Sequence, residues 1–284
     1  MASKTPSRFL NRLNLLQINR LLQNGARLFA PFLLLSATFC AYSQEAKPTT
    51  LKVMTFNILH GATTKGDFDL DRIAKVIIDE DPDLVSLQEV DFKTRRAKGY
   101  DLATELGQRT GMASIFGRAM TYDGGEYGEA VLSKHSFVST RNVPLPHSPG
   151  NEPRAALEVR VQLPDGSVIA FVGTHLDHLP DETDRIAQAK TMIEAFKDND
   201  VPTIVTGDLN AQPDSETIKL LTEHWVPTST TEADPTFPSK NPRVKIDYIM
   251  YAPATAWRVL STAVIQDEVA SDHCAYVATL ELIK

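Results

Sequence analysis

A chain of 284 residues, 42% hydrophobic and 23% charged, suits one large α/β domain or two small ones with a substantial buried core. Its formal net charge is −7, but residues 1–43 carry Lys4, Arg8, Arg12, Arg20 and Arg27 and no acid, so the remainder holds 24 bases against 36 acids, a net of −12. That balance argues against a sequence-independent grip on duplex DNA, which depends on Lys and Arg neutralising phosphates. It leaves hydrolysis of a phosphate ester open, because a local cation reverses the field inside a cleft.

The first segment reads as an export signal. Its basic region runs into the apolar stretch Leu28 to Leu35, followed by small residues near Ala41, Tyr42 and Ser43. The apolar stretch is short and interrupted for a membrane span, so an uncleaved anchor is the second reading. Phe39 stands before Cys40, where lipoprotein processing requires a small residue, which speaks against lipidation. Cleavage after Ser43 would leave 44–284 as one exported domain, periplasmic or extracellular. Cys274 would then be its sole cysteine, and the fold must rest on its core.

Leu51 to Asn57 alternates loosely and predicts a strand ending at Asn57. Asp69 to Ile78 predicts a helix, with acids in its first turn and apolar residues at 70, 73, 74, 77 and 78 on one face; Pro82 ends it. Asp83 to Val90 follows as a nearly apolar strand that carries Glu89 to its far end, and the three elements fit a βαβ-like unit. Asp101 to Thr110 is a weaker amphipathic helix. Gly117 to Gly128 reads as a loop before the strand Glu129 to Ser133.

Residues 144 to 153 hold four prolines and a glycine and read as a second loop, with Arg154 at the mouth of the strand Ala155 to Leu163. Pro164 to Ser167 is a hairpin turn into the strand Val168 to Gly173, closed by Thr174-His175-Leu176-Asp177-His178. Asp181 to Asp184 caps a helix that runs to Phe196, and Val201 to Val205 is a buried strand released by Gly207. Residues 225 to 243 are a Pro- and Thr-rich loop. Val244 to Tyr251 is a strand with Asp247 inside an apolar run, where a buried carboxylate needs a partner. Ser271-Asp272-His273 precedes the terminal strand Cys274 to Leu282.

Asp208 and Asn210 sit two apart, so an extended backbone projects both side chains to one side, where they can hold a water, a phosphate oxygen or a hard cation. An Asx turn is the competing use of the same residues. The predicted strand ends together present Asn57, Glu89, His175, Asp208, Asn210, Asp247, Asp272 and His273. All are oxygen or imidazole donors and none is a thiolate, which suits Mg²⁺, Mn²⁺ or Ca²⁺ better than zinc. A Gly-rich phosphate loop, a nucleophilic serine elbow and paired Cys-x-x-Cys ligands are absent.

Thr55-Phe56-Asn57-Ile58, Gln88-Glu89, Thr174-His175-Leu176-Asp177, Gly207-Asp208-Leu209-Asn210, Ile246-Asp247-Tyr248-Ile249 and Ser271-Asp272-His273 fall in one order. In that order the chain, from about Leu51 to its end, resembles the endonuclease/exonuclease/phosphatase superfamily. The resemblance implies a four-layer α/β sandwich of two packed mixed β-sheets flanked by helices. It implies Glu89 as principal metal ligand with Asn57 and Asp272 beside it, Mg²⁺ as the expected ion, and Asp208 orienting or deprotonating the attacking water. Asn210 would hold the phosphate, Asp247 would fix and polarise His273, and His175 would be the second imidazole on the phosphate side. Arg154, in Glu152-Pro153-Arg154, resembles an arginine of bacterial relatives and is expected to contact phosphate.

Glu129 is a departure, since relatives often carry Asn there; an inward-facing acid would disfavour a polyanionic substrate. No basic, aromatic-interleaved insertion of the kind a nucleic-acid groove needs is present. The expected activity is therefore that of an exported, monomeric Mg²⁺-dependent phosphoesterase acting on a small or lipid-linked phosphodiester or phosphomonoester. A secreted nuclease is the alternative, and a binding protein that has lost catalysis on the same scaffold is a third reading.

Overall fold

The computed structural model describes residues 48–229 and 234–283; the expected export segment, 1–43, lies outside them. In chain order come β1 (Thr49–Asn57), α1 (Leu70–Glu80), β2 (Leu84–Phe92), α2 (Leu102–Thr110), β3 (Ala113–Tyr122) and β4 (Gly125–Ser133). The next are β5 (Ser136–Leu145), β6 (Arg154–Gln162), β7 (Val168–His175), α3 (Thr183–Phe196) and β8 (Thr203–Asp208). The chain closes with α4 (Glu216–Thr222), the two-residue β9 (Val226–Pro227), β10 (Asp247–Ala252), β11 (Trp257–Ile265) and β12 (Ala275–Leu282).

The strands form two six-stranded sheets, ordered β11-β12-β1-β2-β4-β3 and β5-β6-β7-β8-β10-β9. Both are mixed: β1–β2 and β7–β8 are parallel, and the remaining pairs are antiparallel. Alternation along each strand assigns its faces. Val53, Leu84, Val131, Leu157, Phe171, Ile204 and Ile249 fill the layer between the sheets. Met54, Phe56, Val85 and Leu87 turn outward onto Ile73 and Ile77 of α1 and Leu102 and Leu106 of α2. Val172, Val205 and Met250 meet Met192 and Phe196 of α3 and Leu221 of α4. The result is the expected four-layer sandwich, in which each fully buried Leu, Val or Phe contributes roughly 1.5–3 kcal/mol.

The helix ends follow local chemistry. The Asp69 carboxylate accepts from the Arg72 N–H at 3.0 Å and the Asp101 carboxylate from the Thr104 N–H at 3.1 Å. Among the described residues no helix is long and apolar enough to cross a membrane.

The stretch expected as a loop, Gly117 to Gly128, is instead most of the β3–β4 hairpin. Its glycines serve close packing rather than flexibility: a Cβ on Gly128 would sit 2.1 Å from the Gly117 carbonyl oxygen. The strand expected from Val244 begins only at Asp247, while β5, β11 and α4 are elements the periodicity did not indicate. β5 and β11 are edge strands of mixed exposure, which blurs their alternation.

Candidate active site

The register of the second sheet lines up three strand ends. Asp247 lies opposite Asp208 across β10–β8, and His175 lies opposite Asp208 across β7–β8. Since Ile249, Ile204 and Phe171 face the inter-sheet layer, Asp247, Asp208 and His175, each an even number of positions away, face it too. Val53 fixes the same face for Asn57 on β1 in the other sheet. The four side chains therefore converge where the apolar core ends and the strands stop.

Glu89 reaches the site by a backbone irregularity. The β2–β4 register shifts between Leu87 and Val90, and Glu89 takes a left-handed φ of 59°. The extra residue lets Leu87 and Val90 both pack toward the helices while Glu89 turns to the strand-end cavity. Asn210 is also left-handed, at φ 47°. Strain of this kind persists where surrounding contacts hold it, and such residues gather at functional sites. Gly207, at φ 151°, packs so closely on β7 that a Cβ would lie 2.0 Å from the Thr174 carbonyl oxygen.

Asp208 is the hub. Its Oδ2 accepts from Asn57 Nδ2 at 3.2 Å and lies 3.4 Å from His175 Nε2 and 3.5 Å from His273 Nε2, while Oδ1 accepts from the Asn210 N–H at 3.0 Å. Asn57 Nδ2 also donates to Glu89 Oε1 at 3.1 Å on the neighbouring strand, so the amide that bridges to Asp208 in the other sheet holds Glu89 as well. His273 Nδ1 is 3.0 Å from Asp247 Oδ2. Asn210 Nδ2 lies 3.0 Å from His175 Nε2, and Arg154 Nη1 lies 2.9 Å from His175 Nδ1.

A cavity of about 390 Å³ opens above the hub, lined by Glu89, Arg154, His175, Asp208, Asn210, Asp272 and His273. Asn57 and Asp247 stand behind this wall, 1% and 0% exposed. All nine residues singled out from the sequence thus lie in or directly behind one cavity.

Other members of the wall were not singled out: His60, Arg96, Met120, Tyr122, Tyr127, Glu152, His178 and Phe237. His60 Nδ1 sits 3.3 Å from Glu89 Oε2, and the Phe237 ring lies 4.8 Å from that of His273. They come from loops and hairpins whose approach no periodicity encodes. His178 and Glu152, next to His175 and Arg154 in sequence, carried the nearest thing to a signal.

The protonation pattern follows from burial and neighbours. Burial pushes Asp208 up, and Asp247 adds to it against His273 and two hydrogen bonds, leaving its carboxyl at about 7. Burial would depress His273, but the carboxylates of Asp247 and Asp208 outweigh it and push the imidazole up to about 10. His175 goes the other way: burial and the Arg154 guanidinium hold it well below the usual histidine range. The cavity therefore pairs one imidazolium with one neutral imidazole. Glu89 is opposed by burial, yet the hydrogen bonds from His60 and Asn57 hold it low, so it is ionised.

Glu129 faces inward on β4, fully buried, and both its oxygens lack a hydrogen-bond partner. Burial first, then Glu89 and Asp208, push its carboxyl well above the ordinary range. It is not among the lining residues. Its burial favours the neutral acid, so it adds less negative charge to the cavity than the sequence alone suggested.

The donor set fits a hard cation. Glu89 and Asp272 face the cavity, and Glu89 and burial both act to raise the Asp272 carboxyl, a repulsion that a divalent ion would relieve. Asn57 Oδ1 accepts from the Leu59 N–H at 3.1 Å and keeps a second lone pair. Asp208, Asp247 and His273 also present donor atoms within 4.8 Å of one another, a group able to hold a metal ion. The proton held on His273 competes with that use, since a metal needs the neutral imidazole.

Four layers with acids, amides, two imidazoles and an arginine gathered at the strand ends define a protein of the phosphoesterase class. Comparison agrees: residues 54–273 match the Endonuclease/Exonuclease/phosphatase family. Among solved structures, an endonuclease/exonuclease/phosphatase from Beutenbergia cavernae is 26% identical, with a TM-score of 0.67, over 83% of this chain and 72% of that one. One from Bacteroides vulgatus is 25% identical, with a TM-score of 0.67, over 83% of this chain and all of the other. A mannosyl-6-phosphatase from Bacteroides thetaiotaomicron, at 19% identity and a TM-score of 0.67 over 82% of this chain and 100% of that one, shares the fold. The chain belongs to the endonuclease/exonuclease/phosphatase family, whose members are hydrolases acting on phosphate esters.

Proposed function

We propose that this protein is an exported hydrolase of small phosphate esters, mono- or diester, that uses water as nucleophile and Mg²⁺ as cofactor, with Mn²⁺ or Ca²⁺ as substitutes. The observation that carries the reading is the single carboxylate of Asp208, placed within 3.5 Å of groups from both sheets at the floor of the cavity. Glu89, Asp272 and Asn57 would hold the cation. Bound there, it would polarise a phosphoryl oxygen and stabilise the departing oxygen.

The remaining work falls to the chain's own groups. Asp208, with its carboxyl near 7, is tuned to take a proton from the attacking water. Asn57 Nδ2 and the Asn210 N–H fix its two oxygens. The His273 imidazolium, oriented by Asp247, meets the negative charge that builds on the phosphoryl group. His175 accepts from Arg154 at Nδ1, which leaves its proton on Nε2, toward the Asp208 carboxylate. Arg154 is 2% exposed and lines the cavity wall, where its fixed charge suits a phosphate oxygen.

Export is supported by the basic and apolar start of the chain. The net of −12 beyond residue 43 supports a small substrate over duplex DNA. The test is a panel of monoesters, diesters, sphingomyelin and plasmid DNA, each with Mg²⁺ and with chelator. Hydrolysis of a small ester that stops on chelation is expected. Activity that survives exhaustive chelation would remove the metal from the proposal, and tight plasmid cleavage with no small-ester turnover would replace it with a nuclease.

A further inference from the structure

A second cavity, of about 280 Å³, opens beside the β9 edge of the second sheet. It shares no lining residue with the catalytic cavity. Lys245 lines it, together with Pro213, Ile218, Thr222, Pro227, Ser229 and Tyr248. Burial sorts floor from rim: Ile218, Lys245 and Tyr248 are 4%, 3% and 2% exposed, whereas Thr222, the last residue of α4, is open to solvent. The floor is held in place by the Tyr248 hydroxyl, which lies 2.9 Å from the Ala211 carbonyl oxygen and 3.2 Å from that of Lys245.

The Lys245 ammonium stands 3.8 Å from the centre of the Tyr276 ring and 5.1 Å from that of Tyr248. Those ring faces offset part of the cost of burying a cation. They do not replace an oxygen acceptor, and among the described residues Nζ has no hydrogen-bond partner. Asp234 and Asp247 act on it only through space, and burial still draws the amine down to about 8. The nearer of the two in sequence, Asp247, is turned to His273. A buried ammonium whose N–H donors find no acceptor is costly, and an acceptor brought by a ligand would relieve it.

The lining selects the kind of ligand. Lys245 is the only charged residue among those described in the cavity wall, so an occupant meets positive charge there. A cation would face like charge, and a phosphate dianion would shed more hydration than one ammonium can replace. A carboxylate brings one negative charge and two acceptor oxygens. An apolar body behind it would cover Pro213, Ile218 and Pro227. The volume lies at the small end for ligand pockets, which suits an acid of several carbons and not a long acyl chain. Nζ is shielded from bulk water, and its flexible four-carbon stem lets it turn from the Tyr276 face to an entering carboxylate.

We propose that this cavity is a second ligand site, for a small monocarboxylic acid with an apolar body, whose carboxylate pairs with Lys245. The site stands apart from the phosphate chemistry and does not depend on it.

Calorimetry at neutral pH with hexanoate, hexanamide and hexylammonium tests the proposal. Wild type should bind hexanoate at one site per chain with a Kd of about 1 mM or tighter, and should not bind hexylammonium. It should prefer hexanoate to hexanamide by about tenfold to a hundredfold, the difference a charge-assisted hydrogen bond makes. Lys245→Met keeps the apolar stem and should abolish that preference. Thr222→Trp places a bulky ring at the exposed rim and should weaken acid and amide together, which covers the case in which Lys245→Met misfolds. The hexanoate titration is run with Mg²⁺ and with chelator, because a cation in the catalytic cavity would also attract a carboxylate; binding should be the same in both. No detectable hexanoate binding to wild type would overturn the proposal. So would an acid preference that survives Lys245→Met, indifference to Thr222→Trp, or binding that disappears on chelation.

Discussion

Replacing Asp247 by Asn keeps the shape of the partner and removes its charge. His273 Nδ1 stands 3.0 Å from Asp247 Oδ2, with the His273 side chain 7% exposed and that of Asp247 0%. In the native protein the neighbouring carboxylates push the imidazole up to about 10, which keeps it charged across the neutral range. Burial opposes that charge and Asp247 is the largest force sustaining it. In Asp247→Asn, burial acts against Asp208 and Asp272 only, and the imidazole should titrate well below its native value. Nitrogen-detected NMR of chelator-treated protein reads this directly. At pH 8 the variant should have lost its imidazolium and about 10²–10³-fold in kcat/KM, the usual worth of one charge-stabilising group.

Stability should follow with a definite sign. A raised folded-state histidine pKa contributes stability that is complete below 6.5 and lost as pH rises through about 10. The gap between wild type and variant should therefore be widest in mildly acid solution and close toward pH 10. The double variant with His273→Ala should be scarcely slower than the worse single one, since the two act as a unit. A wild-type His273 titrating near 6.5, or one unmoved by Asp247→Asn, would refute the argument.

Glu89→Gln should cut activity by about a hundredfold or more and weaken Mg²⁺ binding by calorimetry, with partial recovery at high Mg²⁺; unchanged metal affinity would move the cation elsewhere. Glu129→Gln should be better tolerated than a buried acid suggests. The raised Glu129 pKa means that wild type loses stability as pH climbs above 4.5, and Gln does not, so the melting temperature of the variant should gain on wild type from pH 5 to 8. Parallel curves would show that Glu129 is ionised and paired. Gly207→Ala, whose Cβ would meet the Thr174 carbonyl at 2.0 Å, should cost about 3 kcal/mol or more in denaturant titration; a near-neutral result would mean that β7 and β8 are less tightly held.

Local chemistry made part of this protein legible in its sequence. The apolar face of α1, the caps at Asp69 and Asp101 and the buried strands needed only near neighbours to be recognised, because periodicity and capping act within a few residues. Asp208, Asn210, Asp247 and His273 stood out because polar side chains at the ends of apolar strands are chemically conspicuous. Their ordered motifs carried the family and the fold. The glycines between 117 and 128 misled, since a tight approach between strands and a loop draw on the same residue.

Only the tertiary structure could decide which groups meet. That Asp208 would take Asn57 from one sheet and two imidazoles from its surroundings depends on the register of β1, β7, β8 and β10, set by pairings between residues far apart in the chain. The bulge that turns Glu89 to the cavity is likewise a product of the packed layers. The split between a cationic His273 and a neutral His175 has the same origin. Two histidines of ordinary sequence context differ because one was folded against carboxylates and the other against an arginine.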